Sequence, residues 1–191
     1  MSDITSDEET KLIYGLIETK VISSLHEFYI SGNIGPPEEY VRTFNTIRHA
    51  AEDDTIKVYI NSFGGDLYTA IQFMRVFAET KAHVICSIEG ACLSAATIIF
   101  LNADSFEITP HSSFMIHNYS GGTMGKGAEM LDQLTHERKW SEALFAQVYK
   151  DFLTPEEIRD ILLGKDLWMD VDQVVDRMNK RIETREEQNG L

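Results

Sequence analysis

The sequence predicts one α/β domain built from repeated strand, turn and helix units on a mainly parallel sheet. Three observations predict it. β-rich runs at residues 26–34, 56–60 and 83–88 alternate with stretches whose apolar residues recur at helical spacing. Glycine or proline punctuates the passage from each run to the next. The chain has 191 residues, of which 43% are hydrophobic and 25% charged, which suits one ordinary core without disulfide staples.

The elements follow in order. Residues 26–34 read as a strand, and Gly35-Pro36-Pro37-Glu38-Glu39 opens a helix carrying Tyr40, Phe44, Ile47 and Ala51 on one face. Residues 56–60 form a short strand, with Asn61-Ser-Phe-Gly-Gly65 as a turn. Leu67, Ala70, Ile71, Met74 and Phe77 then mark a second amphipathic helix. Residues 83–88 form a third strand that Gly90 breaks, and residues 94–102 read as a fully buried helix. Two short strands follow around Phe106 and Phe114. A long helix covers about residues 128–152, with Met130, Leu134, Trp140, Leu144 and Val148 on a broad face that suits either its own domain or a partner subunit. Thr154-Pro-Glu-Glu157 is a capping box that starts a shorter helix. The chain ends 1–10 and 180–191 read as solvated and frayed, around a single domain over 1–191.

Charge and composition narrow the function classes. Seventeen Lys and Arg against 31 Asp and Glu give a net charge of −14, which disfavours nucleic acid and anionic membrane surfaces as partners. The longest uncharged apolar stretch, residues 90–103, is short of the ~20 residues a spanning helix needs. The acidic N-terminus has no apolar core of a secretory signal, and Cys86 and Cys92 form no paired framework, so the expected compartment is a reducing cytoplasm. Trp140 and Trp168 read as core or interface packing. His111, His117 and His136 lack ligand spacing and His136-Glu-Arg-Lys-Trp140 fails the H-E-x-x-H pattern, so no metal is expected. Gly125-Lys126 lacks the upstream glycine and the following Ser or Thr of a P-loop, so no nucleotide site or other cofactor is expected.

In a parallel α/β sheet, ligands gather at the carboxyl ends of the strands. Gly64-Gly65 and Gly90 lie at two such ends, where backbone N–H groups and a helix start suit a negative oxygen, although a plain tight turn explains them equally well. Ser94 stands at the entrance of an apolar helix among Ala91, Leu93, Ala95 and Ala96. Its hydroxyl either caps the helix or serves as a nucleophile with room for a carbonyl beside it. His117 closes an apolar strand, as a packed rim histidine or as a base. Asp166 is one acid among many. The residues alone therefore lead to an α/β domain with a candidate serine site.

Four segments add a resemblance. Ile60-Asn-Ser-Phe-Gly-Gly65, Gly90-Ala-Cys-Leu-Ser-Ala-Ala96, Met115-Ile-His-Asn118 and Lys165-Asp-Leu-Trp-Met169 resemble, in order and at near-family spacing, the signatures of the Clp protease proteolytic subunit (ClpP) family. The compact, divergent members encoded by tailed phages are the most similar. The resemblance implies a ClpP/crotonase-like fold of repeated ββα/βαβ units with a protruding handle helix, matched by the long helix from Ala128. It implies a serine endopeptidase in which Ser94 is the nucleophile, His117 the general base and Asp166 the acid that orients the imidazole. The backbone N–H groups of Gly65 and Ala95 fall on the oxyanion-hole positions. Gly64, Asp66, Leu67, Gly121 and Gly122 fall on the strands that pair with an extended substrate.

The same resemblance implies heptameric rings, single or stacked, that enclose the active sites and admit peptides or unfolded chains, with any ATP dependence supplied by a AAA+ unfoldase. Localisation is then cytoplasmic, in the host if phage-encoded. Two alternatives are an inert ClpP-like scaffold or interaction subunit and a crotonase-type acyl-CoA enzyme. The chain departs from the family pattern at Phe63, where proline is usual, and at Ala95, where methionine is common. The interval from Ser94 to His117 is about two residues short of typical members. The N-terminus shows no convincing axial-loop sequence. Asp176-Arg-Met-Asn179 replaces a C-terminal strand and is expected to prolong a helix.

Overall fold

The computed structural model describes residues 22–189, so the expectation for residues 1–10 lies outside the described part. Strand β1 (Leu25–Ile34) leads through a 3-10 turn (Pro37–Tyr40) to α1 (Val41–His49). There follow β2 (Thr55–Gly65), α2 (Leu67–Glu79), β3 (His83–Leu93), α3 (Ala95–Leu101), β4 (Ser105–Ile108) and β5 (Ser113–Ile116). The chain closes with α4 (Gly127–Val148), α5 (Pro155–Leu162), β6 (Leu167–Met169) and α6 (Val171–Asn189).

One six-stranded sheet runs in the order β1-β2-β3-β5-β6, with β4 beside the first half of β3. All pairings are parallel except β5 with β6. Strict alternation along β2 sends Ile56, Val58, Ile60 and Ser62 into the interior, where they meet the apolar faces of α1, α2 and α3. Phe44, Phe73 and Phe77 interlock edge to face there, and Phe114 joins Phe100 and Phe152 in a second aromatic cluster. Both cysteines are buried in this core, and burial pushes their thiols up, away from thiolate character.

Several elements differ from the sequence reading. Residues 61–65 are not a turn. β2 continues through them because Asn33 and Ile34 of β1 pair with Gly64 and Gly65 after a one-residue register shift. Gly90 does not break β3, whose second half, Ala91–Leu93, pairs with β5. Helix α4 ends at Val148, with Tyr149 as its C-cap and Asp151 in the left-handed region. Ala51 lies beyond α1, and Ala50 is the buried residue at that point. Residues 180–189, expected to fray, continue helix α6, and Arg181 is buried with a guanidinium N–H donated to the Val148 carbonyl. The helix through Asp176–Asn179 and the Thr154–Glu157 capping box are as expected.

Candidate active site

Three consecutive features of the chain fix Ser94. β3 delivers it to the carboxyl edge of the sheet, where its N–H donates to the Met115 carbonyl (2.8 Å). Its backbone sits at φ 56°, ψ −126°, a conformation that glycine adopts freely and L-residues rarely do. Helix α3 begins at the next residue. Thr97 grips the Ser94 carbonyl twice, through its N–H (3.0 Å) and its hydroxyl (2.7 Å), and the Thr97 hydroxyl also bonds the buried Tyr149 hydroxyl (2.8 Å).

The Ser94 hydroxyl makes no cap hydrogen bond to α3, so it does not play the structural role open to it in the sequence. It instead meets His117, whose Nε2 lies 2.7 Å from Ser94 Oγ. That distance lies within the range a general base requires. His117 follows β5 directly, and the neighbouring Asn118 donates its amide N–H to the Leu162 carbonyl at the end of α5 (3.2 Å). Sequence reasoning assigned Asn118 no role. Its place beside the histidine in Met115-Ile-His-Asn118 was the available signal.

The glycine pair closes the other side. Gly64 has φ +92°, and a Cβ on it would lie 2.6 Å from Ser94 Cβ, 2.8 Å from the Leu93 carbonyl oxygen and 3.1 Å from Ala95 N. Only glycine fits where β2 passes the turn at Ser94. Gly65 (φ +144°) packs as tightly against the Ile34 backbone. The Ala95 N–H is the first of its helix and has no acceptor among the described residues. Gly65, Ala95, Ser94 and His117 line one cleft of about 320 Å³, where an oxygen could meet both N–H groups while its carbon faces the serine.

The remaining expected residues divide. Leu67, Asp66, Gly121 and Gly122 line the cleft, but not as strands. Leu67 opens helix α2, with the Asp66 carboxylate accepting the Thr69 N–H (2.7 Å) as its N-cap, and Gly121–Gly122 are exposed irregular backbone. Asp166 stands one residue before β6. The pairing of Ile116 with Leu167 puts it across from His117 in register, yet its side chain is exposed. Among the described residues no hydrogen bond or ion pair joins its carboxylate to the His117 ring. The N–H groups of Leu163, Gly164 and Lys165 bond back to the last turn of α5, and the Lys165 ammonium pairs with Asp160 (3.2 Å), so the turn just before Asp166 is tied to α5.

The sequence reading missed the cleft's aromatic wall. Tyr68, Tyr119, Trp140, Phe145 and Tyr149 line it, with Ile98 at its floor. Trp140 stood on the apolar face noted for α4, whereas Trp168 is exposed. Among the described residues no group of three or more His, Cys, Asp or Glu side chains could hold a metal ion.

Residues 36–177 match the Clp protease family. The chain belongs to that family. As a ClpP-family protein it is similar to the ATP-dependent Clp protease proteolytic subunit 3 of Rhizobium johnstonii, 27% identical over 131 residues, or 66% of either chain. It is also similar to the corresponding subunit of Deinococcus radiodurans, 26% identical over 151 residues that cover 72% of this chain and 70% of that one. The chain thus spans about two thirds of the first relative's length. A solved ClpP1 mutant from Listeria monocytogenes shares the fold, with a TM-score of 0.62 at 21% identity over 80% of this chain and 86% of that one. The ClpP/crotonase-like architecture is thereby established.

Proposed function

We propose that this ClpP-family chain is a serine endopeptidase that cleaves peptides or unfolded polypeptides by a Ser94–His117–Asp166 triad. The observation that carries the reading is the 2.7 Å contact of His117 Nε2 with a Ser94 hydroxyl that caps nothing. In the first step His117 takes the hydroxyl proton as Oγ attacks the peptide carbonyl carbon. The carbonyl π electrons move to oxygen, which the Gly65 and Ala95 N–H groups receive. Collapse expels the amine, protonated by His117, and leaves an acyl-Ser94 ester that water then hydrolyses by the reverse proton route. Loss of one oxyanion donor typically costs about 10²–10³ in rate, and loss of the nucleophile about 10⁶.

The assembly belongs to the same proposal. Leu131 and Leu134 on the first half of α4 are exposed, while Leu144, Phe145 and Val148 on its second half are buried. A helix anchored at one end with apolar residues left over at the other suits contact between subunits of a ring. The relatives are named as subunits of ATP-dependent proteases. A homo-oligomeric chamber fed by a AAA+ unfoldase accords with both facts, and the setting proposed for it is the cytoplasm. The second reading, a catalytically weak or inert ring subunit, draws on the exposed Asp166 carboxylate that does not reach His117.

The experiment is covalent labelling with a fluorophosphonate probe, run beside cleavage of a short fluorogenic peptide. The serine peptidase reading expects labelling of wild type and none of Ser94→Ala. Equal labelling of the two ends that reading. Labelling without turnover supports the inert subunit.

A further inference from the structure

We propose that the cleft beside Ser94 carries a subsite for a cationic substrate side chain, Lys or Arg, paired with the Glu137 carboxylate against the Tyr68–Trp140 aromatic pair. This rests on the peptide-binding role proposed above and deepens it by naming the side-chain class selected.

The placement of Glu137 motivates it. Residues 131–136, 138 and 139 of α4 are exposed, whereas Glu137 and Trp140, three apart on one helical face, are half-buried and line the cleft with Ser94 and His117. A glutamate turned inward on an otherwise solvated stretch of helix has traded water for a cleft wall. Only two lining residues carry a formal charge, Asp66 and Glu137, and both are acidic. The Asp66 carboxylate accepts the Thr69 N–H as a helix cap. Glu137 Oε1 accepts from the Gln133 amide (2.7 Å), and no Lys or Arg pairs with it among the described residues.

The surroundings suit a cation with an alkyl stem. The Tyr68 and Trp140 rings stack at 5.8 Å with planes 29° apart, a surface on which methylenes pack and a cationic head is attracted. The Tyr119 hydroxyl has its pKa raised by burial first and by the Glu137 carboxylate second, so that carboxylate's field already reaches into the cleft. A partly exposed ion pair gives about fivefold in affinity and a cation–π contact about twofold, hence about tenfold together.

The test uses the Ser94→Ala protein and two acetylated tetrapeptide amides, Ala-Ala-Xaa-Ala, with Xaa either lysine or norleucine. Norleucine keeps the alkyl stem and lacks the charge. Titration calorimetry is expected to find the lysine peptide about tenfold tighter at low salt, with the ratio shrinking as salt rises. Glu137→Gln is expected to bring the ratio to about one. Norleucine binding as tightly as lysine overturns the inference, as does failure of both peptides to bind or a ratio that survives Glu137→Gln. The first two results need no variant at Glu137, so misfolding of that variant cannot shield the idea. If the lysine peptide binds selectively while wild type resists the fluorophosphonate probe, the subsite stands and the peptidase reading falls.

Discussion

Replacing Ser94 by glycine and, separately, by alanine separates the backbone conformation at this position from the hydroxyl it carries. Neither variant has the Oγ that meets His117, so both lose that contact equally. They differ in what the backbone demands. At φ 56°, ψ −126° an L-residue is held in a conformation that glycine tolerates, and such positions cost about 1–3 kcal/mol. Glycine in turn loses more unfolded-state entropy than alanine, about 0.5–1 kcal/mol. At an ordinary site only the second effect operates and alanine is the more stable choice. Here the first outweighs it, and the expected balance favours Ser94→Gly by about 1 kcal/mol. In a chain of this size that is a rise of about 2–4 °C in Tm. Melting both variants by calorimetry at one protein concentration measures it directly, since any assembly shifts both alike. A Ser94→Ala protein that melts at or above Ser94→Gly would refute the claim that this residue is held under strain.

Other expectations follow from neighbouring contacts. His117→Ala removes the only base touching Ser94 Oγ among the described residues and is expected to lower peptide turnover by about 10⁶, read from steady-state hydrolysis beside the fluorophosphonate labelling. Thr97→Val leaves the buried Tyr149 hydroxyl without its partner and is expected to cost about 1–3 kcal/mol in urea unfolding. Thr97→Val with Tyr149→Phe removes both partners and is expected to recover part of that loss, whereas simple additivity would argue against the coupling. Glu157, held by Arg177 through two hydrogen bonds of 3.0 and 2.7 Å, has its pKa lowered from 4.5 to about 2. Its folded pKa lies below its unfolded one, so this stabilisation is full above about pH 4.5 and is lost as pH falls toward 2. Glu157→Gln is expected to flatten the acid limb of the stability curve between those values, and an unchanged limb would contradict the linkage.

The alternation in residues 56–60, the helical spacing in α2 and the capping box at Thr154 were legible because each is a local pattern with one burial solution. The continuation of β2 through Phe63-Gly64-Gly65 was not, because double glycine announces a turn and only pairing with β1 keeps the strand extended. Gly90 misled in the same way, its strand being held by β5 from across the sheet. For the site, order and spacing of four motifs pointed to Ser94 and His117, and the coordinates bring those two side chains into contact. They also bring Gly65 and Ala95 to the same cleft. Asp166 was nameable only by resemblance. It follows a turn in which three backbone N–H groups fold back on α5, and such a turn leaves no periodic trace in a sequence. Glu137 and the aromatic wall went unseen because α4 reads as one broad amphipathic face.

Ser94 and His117 are in contact while no hydrogen bond joins the Asp166 carboxylate to the imidazole among the described residues, and the sheet carries the groups differently. β3 changes partners along its length, with β4 over Ile85–Ile88 and β5 over Ala91–Leu93. The second pairing matches Leu93 with Met115, and the next N–H, that of Ser94, donates to the Met115 carbonyl. Serine and histidine thus leave the sheet from adjacent parallel strands, one residue past Leu93 and two past Met115 of a matched pair, so ladder geometry sets their separation. Asp166 precedes a three-residue antiparallel edge strand whose other flank is the capped end of α5. An edge of three residues fixes register but little else, and the Lys165–Asp160 pair pulls the other way.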